Sequence, residues 1–139
     1  MIYFILLIIS ITLLVITLKP NKCLVSVKEK YSILRNNLPE KFSMLRKPIL
    51  VSGFSRPISS GTLGYNVNKG DEISVCVDGT SNQAFHILIH ELAHSTVKEY
   101  SHSEQFWKNF EELKKTCEHL GIYKQINNKD KFCGKYISD

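Results

Sequence analysis

An uncharged apolar run near the start of the chain limits how much of the sequence can enter a globular core. Residues 2–18 are 17 positions long, and only Ser10, Thr12 and Thr17 are polar. This length is near the lower limit for a bilayer-spanning helix, and a helix that is apolar on all sides suits a small domain poorly. The sequence therefore predicts an uncleaved transmembrane anchor over residues 1–19, with a cleaved signal peptide as the alternative.

The charges after this run predict its orientation. Four lysines follow it: Lys19, Lys22, Lys28 and Lys30. The positive-inside tendency then predicts a single-pass membrane protein whose domain lies on the cytosolic side. The net charge is +5, but the sequence contains no dense run of Lys and Arg interleaved with aromatic residues. We therefore expect no nucleic-acid partner. Nothing in the sequence indicates an oligomeric state.

The rest of the chain is enough for one small domain. Apolar residues at helical spacing predict a juxtamembrane helix that ends near Asn37, before Pro39. They are Leu24, Val27, Tyr31, Leu34 and Leu38. We therefore divide the chain into the anchor, a juxtamembrane helix and linker over residues 20–47, and a globular domain over residues 48–139.

Short apolar runs bounded by turn residues predict a small sheet. Predicted strands span residues 49–53, 63–68, 72–77 and, close to the end, 131–137. Residues 55–64 are rich in turn formers, and the Lys69-Gly70-Asp71 sequence favours an antiparallel hairpin between the second and third strands. The expected sheet is three-stranded and of antiparallel type.

Two amphipathic helices are predicted after the strands. The first runs from about Gln83 to Lys98 behind a cap at Ser81 or Asn82. The second begins near Ser101, which has the capping-box spacing to Glu104, and ends at Gly121. Helices that pack on one small sheet give an α+β fold class.

The first of these helices contains a His-Glu-x-x-His motif from His90 to His94. Residues four apart lie on one face of a helix, so both imidazoles can bind one Zn²⁺. Glu91 then lies beside the metal, where a carboxylate can take a proton from a zinc-bound water as general base. Because this motif is rare by chance, the sequence predicts a zinc site with His90 and His94 as ligands and Glu91 as catalytic residue.

A catalytic zinc needs a third protein ligand and an open fourth position. His102 is the main candidate, because the seven residues after His94 include a helix end and a turn that can bring the chain back. Downstream carboxylates remain as alternatives: Glu99, Glu104, Glu111 and Glu112. His86 shares the face of His90, and we expect it to be a partly buried residue beside the site rather than a ligand.

The motif and its surroundings resemble a known family. The sequence "HELAH", followed by a histidine and "FW" in "HSEQFW", is similar to small zinc metallopeptidases of the SprT/WLM kind and to minimal zincins. Short metallopeptidase-like proteins of large DNA viruses also carry a "CG" element like Cys133-Gly134. The resemblance implies His90, His94 and His102 as zinc ligands. This chain departs from the family pattern in one respect, because its spacer between the second and third histidines is longer.

Together with the apolar run, the resemblance implies a membrane-anchored protein whose domain over residues 48–139 is a zinc metallopeptidase that hydrolyses peptide bonds in a protein or peptide substrate. One alternative is a non-catalytic, zinc-stabilised membrane or virion protein, in which four protein ligands would close the site. Hydrolysis of a non-peptide amide is another.

The sequence does not decide whether the cysteines form disulfides. Cys23, Cys76, Cys117 and Cys133 include no Cys-x-x-Cys pair. They could form two disulfides in an oxidising compartment or remain thiols in the cytosol.

Overall fold

The computed structural model describes residues 1–55 and 61–139, which form helices, a small sheet and a terminal hairpin. The elements are, in chain order, α1 (Ile2–Thr17), α2 (Lys22–Asn36), a 3₁₀ helix (Glu40–Arg46), β1 (Leu50–Phe54), β2 (Gly64–Val67), β3 (Glu72–Cys76), α3 (Ser81–His94), α4 (Glu104–His119), β4 (Asp130–Phe132) and β5 (Lys135–Ile137). This is an α+β arrangement in which the helices pack against one small sheet.

The three-stranded sheet is mixed, so the predicted antiparallel-type sheet is wrong. β2 and β3 form the antiparallel hairpin that the sequence predicts, but β1 pairs with β3 in parallel. A turn signal fixes the direction of only the two strands that it joins, and it says nothing about β1. β3 is the central strand and is buried from Ile73 to Cys76, which resembles the strands of parallel sheets. The predicted turn-rich segment 55–64 includes residues 56–60, which lie outside the described residues.

The predicted single-pass membrane anchor is also wrong, and so is the predicted membrane localisation that depends on it. Among the described residues, no single helix is both long and apolar enough to cross a bilayer. Only α1 and α2 taken together, with a bend of 40° between them, pass that test of length and composition. The reason is length: α1 has 16 residues, which span about 24 Å, whereas the hydrocarbon core is about 30 Å thick.

α3 is the central helix of the fold, and it contacts the sheet, α2 and α4. Its capping residue is Thr80, one residue before the first of the two predicted caps. Thr80 Oγ1 accepts a hydrogen bond from the Gln83 N–H, and the Gln83 side chain accepts one from the Thr80 N–H. This capping box satisfies two of the N–H groups that a helix start leaves unpaired.

α3 ends at His94, four residues earlier than the sequence predicts. The N–H groups of Ser95 and Thr96 turn back to the carbonyls of Leu92 and Ala93, and the Thr96 hydroxyl also donates to the Ala93 carbonyl at 2.6 Å. These tight bonds stop the helix and start a reversal. The following α3–α4 loop, residues 95–103, returns the chain to the same side of the domain.

α4 begins at Glu104 with Ser103 as its cap, so Ser101 is not the capping residue. The Ser103 hydroxyl accepts a hydrogen bond from the Phe106 N–H at 3.1 Å. Phe106, Phe110 and Leu113 bury the apolar face of the helix against α3. Each fully buried side chain of this kind stabilises the fold by about 1.5–3 kcal/mol.

α2 packs on α3 and β1 through buried Val27, Tyr31 and Leu34. The Tyr31 hydroxyl also accepts a hydrogen bond from the Ile49 N–H at 3.1 Å, which joins α2 to the chain entering β1. The predicted helix after the apolar run therefore covers one side of the core.

A disulfide fixes the C-terminal hairpin to the sheet. Cys76 at the end of β3 is bonded to Cys133, which lies in the turn between β4 and β5. The bond spans 57 residues of sequence, and a cross-link of this kind stabilises a domain by about 2–4 kcal/mol, mainly by constraining the unfolded chain. Among the described residues, Cys23 and Cys117 are free thiols.

Asp139 ties the end of the chain to α4 and to the side of α3. Its carboxylate accepts hydrogen bonds from Lys114 Nζ at 2.7 Å, the Tyr123 hydroxyl at 2.8 Å and the Ile126 N–H at 2.5 Å. Burial alone would raise the pKa of Asp139, but these hydrogen bonds outweigh it and hold the pKa below its ordinary value. The carboxylate is also the partner of a lysine whose side chain is only 4% exposed.

We predict that Asp139→Asn lowers the free energy of unfolding at pH 7 by about 1–3 kcal/mol, because buried Lys114 loses one of its two charged partners and retains Glu111. A carboxylate with a lowered pKa in the folded state stabilises above its unfolded pKa, and this stabilisation is lost as the pH falls through the folded value. The difference from wild type should therefore shrink below about pH 4. Chemical denaturation at pH 3 and pH 7 measures it, with exposed Asp130→Asn as control. An equal loss at both pH values contradicts the prediction.

Candidate metal centre

Three histidine rings converge where α3 faces the start of α4. The Nε2 atom of His102 lies 3.0 Å from that of His90 and 3.1 Å from that of His94. One nitrogen from each ring falls within 4.8 Å of the other two. His90 and His94 share a face of α3, whereas His102 comes from the α3–α4 loop. The early end of α3 is what allows the chain to return at this point.

The spacing of these nitrogens fits a bound transition-metal ion. In a tetrahedral site with bonds of about 2.0–2.1 Å, two ligand atoms are about 3.3–3.4 Å apart. Three imidazoles are also a donor set suited to zinc, copper, iron and nickel. The described residues offer no carboxylate or thiolate to this group. The downstream glutamates considered as third ligands therefore lie outside it, and the structure groups His102 with the two motif histidines.

The surroundings keep the motif imidazoles uncharged. Burial, followed by the charges of His94, His102 and His86, lowers the pKa of His90 to about 3. Burial and the neighbouring His102 and Lys69 also lower the pKa of His94. A metal binds the neutral ring, so neither histidine has to lose a proton at pH 7 before it can act as a ligand.

Aromatic side chains of α4 surround His90. Its ring centroid lies 5.0 Å from that of Phe106, 5.4 Å from that of Phe110 and 6.2 Å from that of Trp107. These contacts form the apolar side of the site and restrict the rotation of the imidazole. Trp107 also lies 5.4 Å from the ring of His102, and it is the only tryptophan of the chain.

Glu91 is next to His90 in sequence and is 9% exposed. Burial raises the pKa of its carboxyl group to about 7, and no charge or hydrogen bond from the described residues offsets this effect. The side chain borders two cavities. The first, of about 500 Å³, is lined also by Gly64, His86 and Tyr136, and the second, of about 260 Å³, is lined also by Tyr65 and His94. A buried carboxyl group with this pKa can exchange a proton near neutral pH.

Gly64 allows β2 to approach α3 beside this carboxyl group. A Cβ atom at this position would lie 2.5 Å from Ile87 Cγ2 and 3.1 Å from the carbonyl oxygen of Ser74. Neither the branched side chain nor the strand backbone can move away easily, so a larger residue would separate β2 from α3. The first cavity therefore depends on a glycine at this position.

Two polar side chains that the sequence did not single out support the end of α3. Asn66 on β2 donates hydrogen bonds to the Glu91 carbonyl and to the Ser95 hydroxyl, both at 2.8 Å. Lys69, in the β2–β3 turn, contacts the α3–α4 loop. Neither residue belongs to a motif, and their distance from the histidines in sequence hides their role.

His86 lies beside the site but outside the group of three. It is 6% exposed, and its Nδ1 atom lies 2.8 Å from the Tyr123 hydroxyl. That hydroxyl donates its proton to Asp139, so the oxygen is left to accept from His86 Nδ1–H. The structure thus places His86 as a buried neighbour of His90. No local pattern in the sequence indicates its contact with Tyr123.

Comparisons with known proteins concern the same part of the chain. Residues 50–137 match the model of the WLM domain. An uncharacterized protein of Acanthamoeba polyphaga mimivirus is 33% identical over 85 residues, which are 54% of this chain and 43% of that protein. The chain thus spans less than half the length of this viral relative. The solved metallopeptidase zymogen of Pyrococcus abyssi abylysin is 19% identical, with a TM-score of 0.48 over 68% of this chain and 87% of that one.

We predict one bound transition-metal ion per chain, lost in both His94→Ala and His102→Ala, because each removes one of three converging nitrogens. Elemental mass spectrometry on protein dialysed against a metal buffer measures the content. The control is His119→Ala, since His119 is exposed at the far end of α4. Retention of the metal in His102→Ala would contradict the three-histidine site.

Proposed function

The chain belongs to the WLM domain family of SprT/WLM-like metallopeptidases, and on this premise we propose that it is a zinc-dependent peptidase. The observation that carries the proposal is the group formed by His90, His94 and His102, with the buried carboxyl group of Glu91 beside it. The family match covers all four residues. The family match extends from residue 50 to residue 137, well beyond the motif itself.

Three protein ligands favour a catalytic over a structural zinc. A structural zinc is usually closed by four protein ligands, whereas a catalytic zinc has three and keeps one position open. Among the described residues, neither His86 nor a glutamate joins the three histidines. His86 Nδ1 is instead hydrogen-bonded to Tyr123. The non-catalytic alternative therefore lacks the fourth ligand that it needs.

Each residue of the site can be given a separate role in peptide hydrolysis. His90, His94 and His102 would hold the zinc. When bound, zinc would polarise the scissile carbonyl and lower the pKa of the attacking water. Glu91 would accept a proton from that water and deliver it to the leaving amine, so that one carboxylate acts first as base and then as acid. Burial of Glu91 suits this exchange, because neither protonation state is strongly favoured near neutral pH.

The surface around Glu91 can accommodate an extended peptide. The two cavities that Glu91 borders have different linings, one including the β5 strand and the other Tyr65 and Tyr100. A peptide whose scissile bond lies at Glu91 could place residues on both sides of the bond in these cavities. The class of substrate is then a protein or peptide.

We predict that Glu91→Gln binds zinc as the wild type does but cleaves peptides at least about 100-fold more slowly, because an amide cannot accept the proton. Cleavage of a library of fluorescence-quenched peptides by the zinc-loaded chain measures the rate. Glu104→Gln is the matched control, since Glu104 is exposed and paired with Lys108 on the outer face of α4. An unreduced rate in Glu91→Gln contradicts the mechanism, and no cleavage by the wild type contradicts the peptidase proposal.

A further inference from the structure

Lys69 makes an unusual set of contacts with the α3–α4 loop. Its Nζ atom donates hydrogen bonds to the carbonyl oxygens of Val97, Lys98 and Glu99, at 2.7, 2.6 and 2.6 Å. An ammonium group has three N–H donors, so all of them are used on three successive carbonyls. The same Nζ atom lies 4.4 Å from the ring centroid of Tyr100, within range of a cation–π contact.

We propose that Lys69 is a positioning residue that fixes the α3–α4 loop so that His102 can serve as the third metal ligand. This inference rests on the metal site of the proposed function and adds the residue that shapes it. His90 and His94 are held by a buried helix, whereas His102 depends on a loop of nine residues for its place. The carbonyls of this loop are outside a helix or strand, and the ammonium group of Lys69 supplies hydrogen-bond donors for three of them.

The contacts continue from Lys69 to the residue next to His102. Glu99 accepts from Lys69 through its carbonyl, and its carboxylate accepts a hydrogen bond from the Ser103 hydroxyl. The same hydroxyl caps α4 by accepting from the Phe106 N–H. Glu99 thus links Lys69 to Ser103, and Ser103 is the immediate neighbour of His102. A shift of the loop at Glu99 would move the cap and the histidine together.

The near end of the loop is held independently. Asn109 on α4 donates to the Thr96 hydroxyl at 2.8 Å, and Asn66 donates to the Ser95 hydroxyl. These bonds fix the two residues after His94 but do not reach residues 97–101. Besides the packing of Val97 against the core, Lys69 is therefore the polar contact that holds the middle of the loop among the described residues.

The backbone of the β2–β3 turn is consistent with a specific role for this lysine. Asn68 and Lys69 have φ angles of 48° and 54°, in the left-handed region. Asparagine tolerates this conformation, and Asn68 is further held by a hydrogen bond to Asp71 at 2.8 Å. The hydrogen bond from the Gly70 N–H to the Val67 carbonyl closes a hairpin turn whose two central residues need positive φ angles, so the turn itself holds Lys69 in this conformation. The turn aims Lys69 at the loop.

The test compares the zinc affinity of the full-length chain with that of Lys69→Met. Methionine keeps an unbranched apolar side chain and removes the three donors. Lys98→Met is the matched control, because it removes the same charge from an exposed side chain of the loop itself. Competition with a chromophoric chelator measures the dissociation constant for Zn²⁺, so no peptide substrate is needed.

We expect the dissociation constant of Lys69→Met to rise about 10- to 100-fold, the range typical when a supporting partner of a metal ligand is removed. Lys98→Met should keep the wild-type value. In the His102→Ala background, whose weak binding by the two remaining histidines is titrated at higher Zn²⁺ concentrations, Lys69→Met should add no further loss, because Lys69 acts through His102. The visible spectrum at saturating Co²⁺ separates positioning from general destabilisation. It should change in Lys69→Met towards that of His102→Ala, whereas a merely less stable protein would keep the wild-type bands.

A wild-type zinc affinity in Lys69→Met overturns the inference, and so does an equal loss from Lys69→Met with or without His102. These results leave the peptidase proposal standing. Absence of zinc binding by the wild type overturns the metal site and this inference with it. A chain that binds zinc but cleaves no peptide overturns the peptidase proposal alone.

Discussion

The burial of α3 is the constraint on which the rest of the structure depends. One side of the helix packs on β2 and β3, and other sides contact α2 and α4. Leu88, Ile89 and Leu92 are completely buried as a result. A helix enclosed in this way can carry polar residues only where each has a partner or faces a site. His86 has Tyr123, and Glu91 faces two cavities.

The same burial sets the chemistry of the candidate site. Glu91 is buried and His90 is half-buried, so the charged form of each is disfavoured. The imidazole is consequently neutral and able to bind a metal, while the pKa of the carboxyl group rises to about 7. Burial thus lowers the pKa of His90 and raises the pKa of Glu91, so a neutral metal ligand lies beside a proton acceptor. A surface helix with the same motif would provide neither condition.

Periodicity and spacing were enough to predict the core of this arrangement. The four-residue spacing of His90 and His94 put both on one helix face, and the helical repeat of Phe106 and Phe110 predicted the helix that covers them. The local turn signal at Gly70 predicted the β2–β3 hairpin. These features depend on residues close in sequence, where geometry is nearly fixed by the type of element.

Features that depend on distant residues could not be predicted in the same way. The parallel pairing of β1 with β3 and the Cys76–Cys133 bond join segments that no local pattern relates. Hydropathy alone suggested a membrane span, but the bounds of α1 leave it too short. The early end of α3 follows from hydrogen bonds at Thr96, and the course of the next loop follows from Lys69, which lies far from it in sequence.

The coordination of zinc bound to the full-length chain tests the central claim most directly. X-ray absorption at the zinc edge reports the number and type of ligand atoms. We expect three imidazole nitrogens at about 2.0–2.1 Å and one non-protein oxygen, the pattern of an open catalytic site. A fourth protein ligand, a sulfur ligand or fewer than three imidazoles would contradict it.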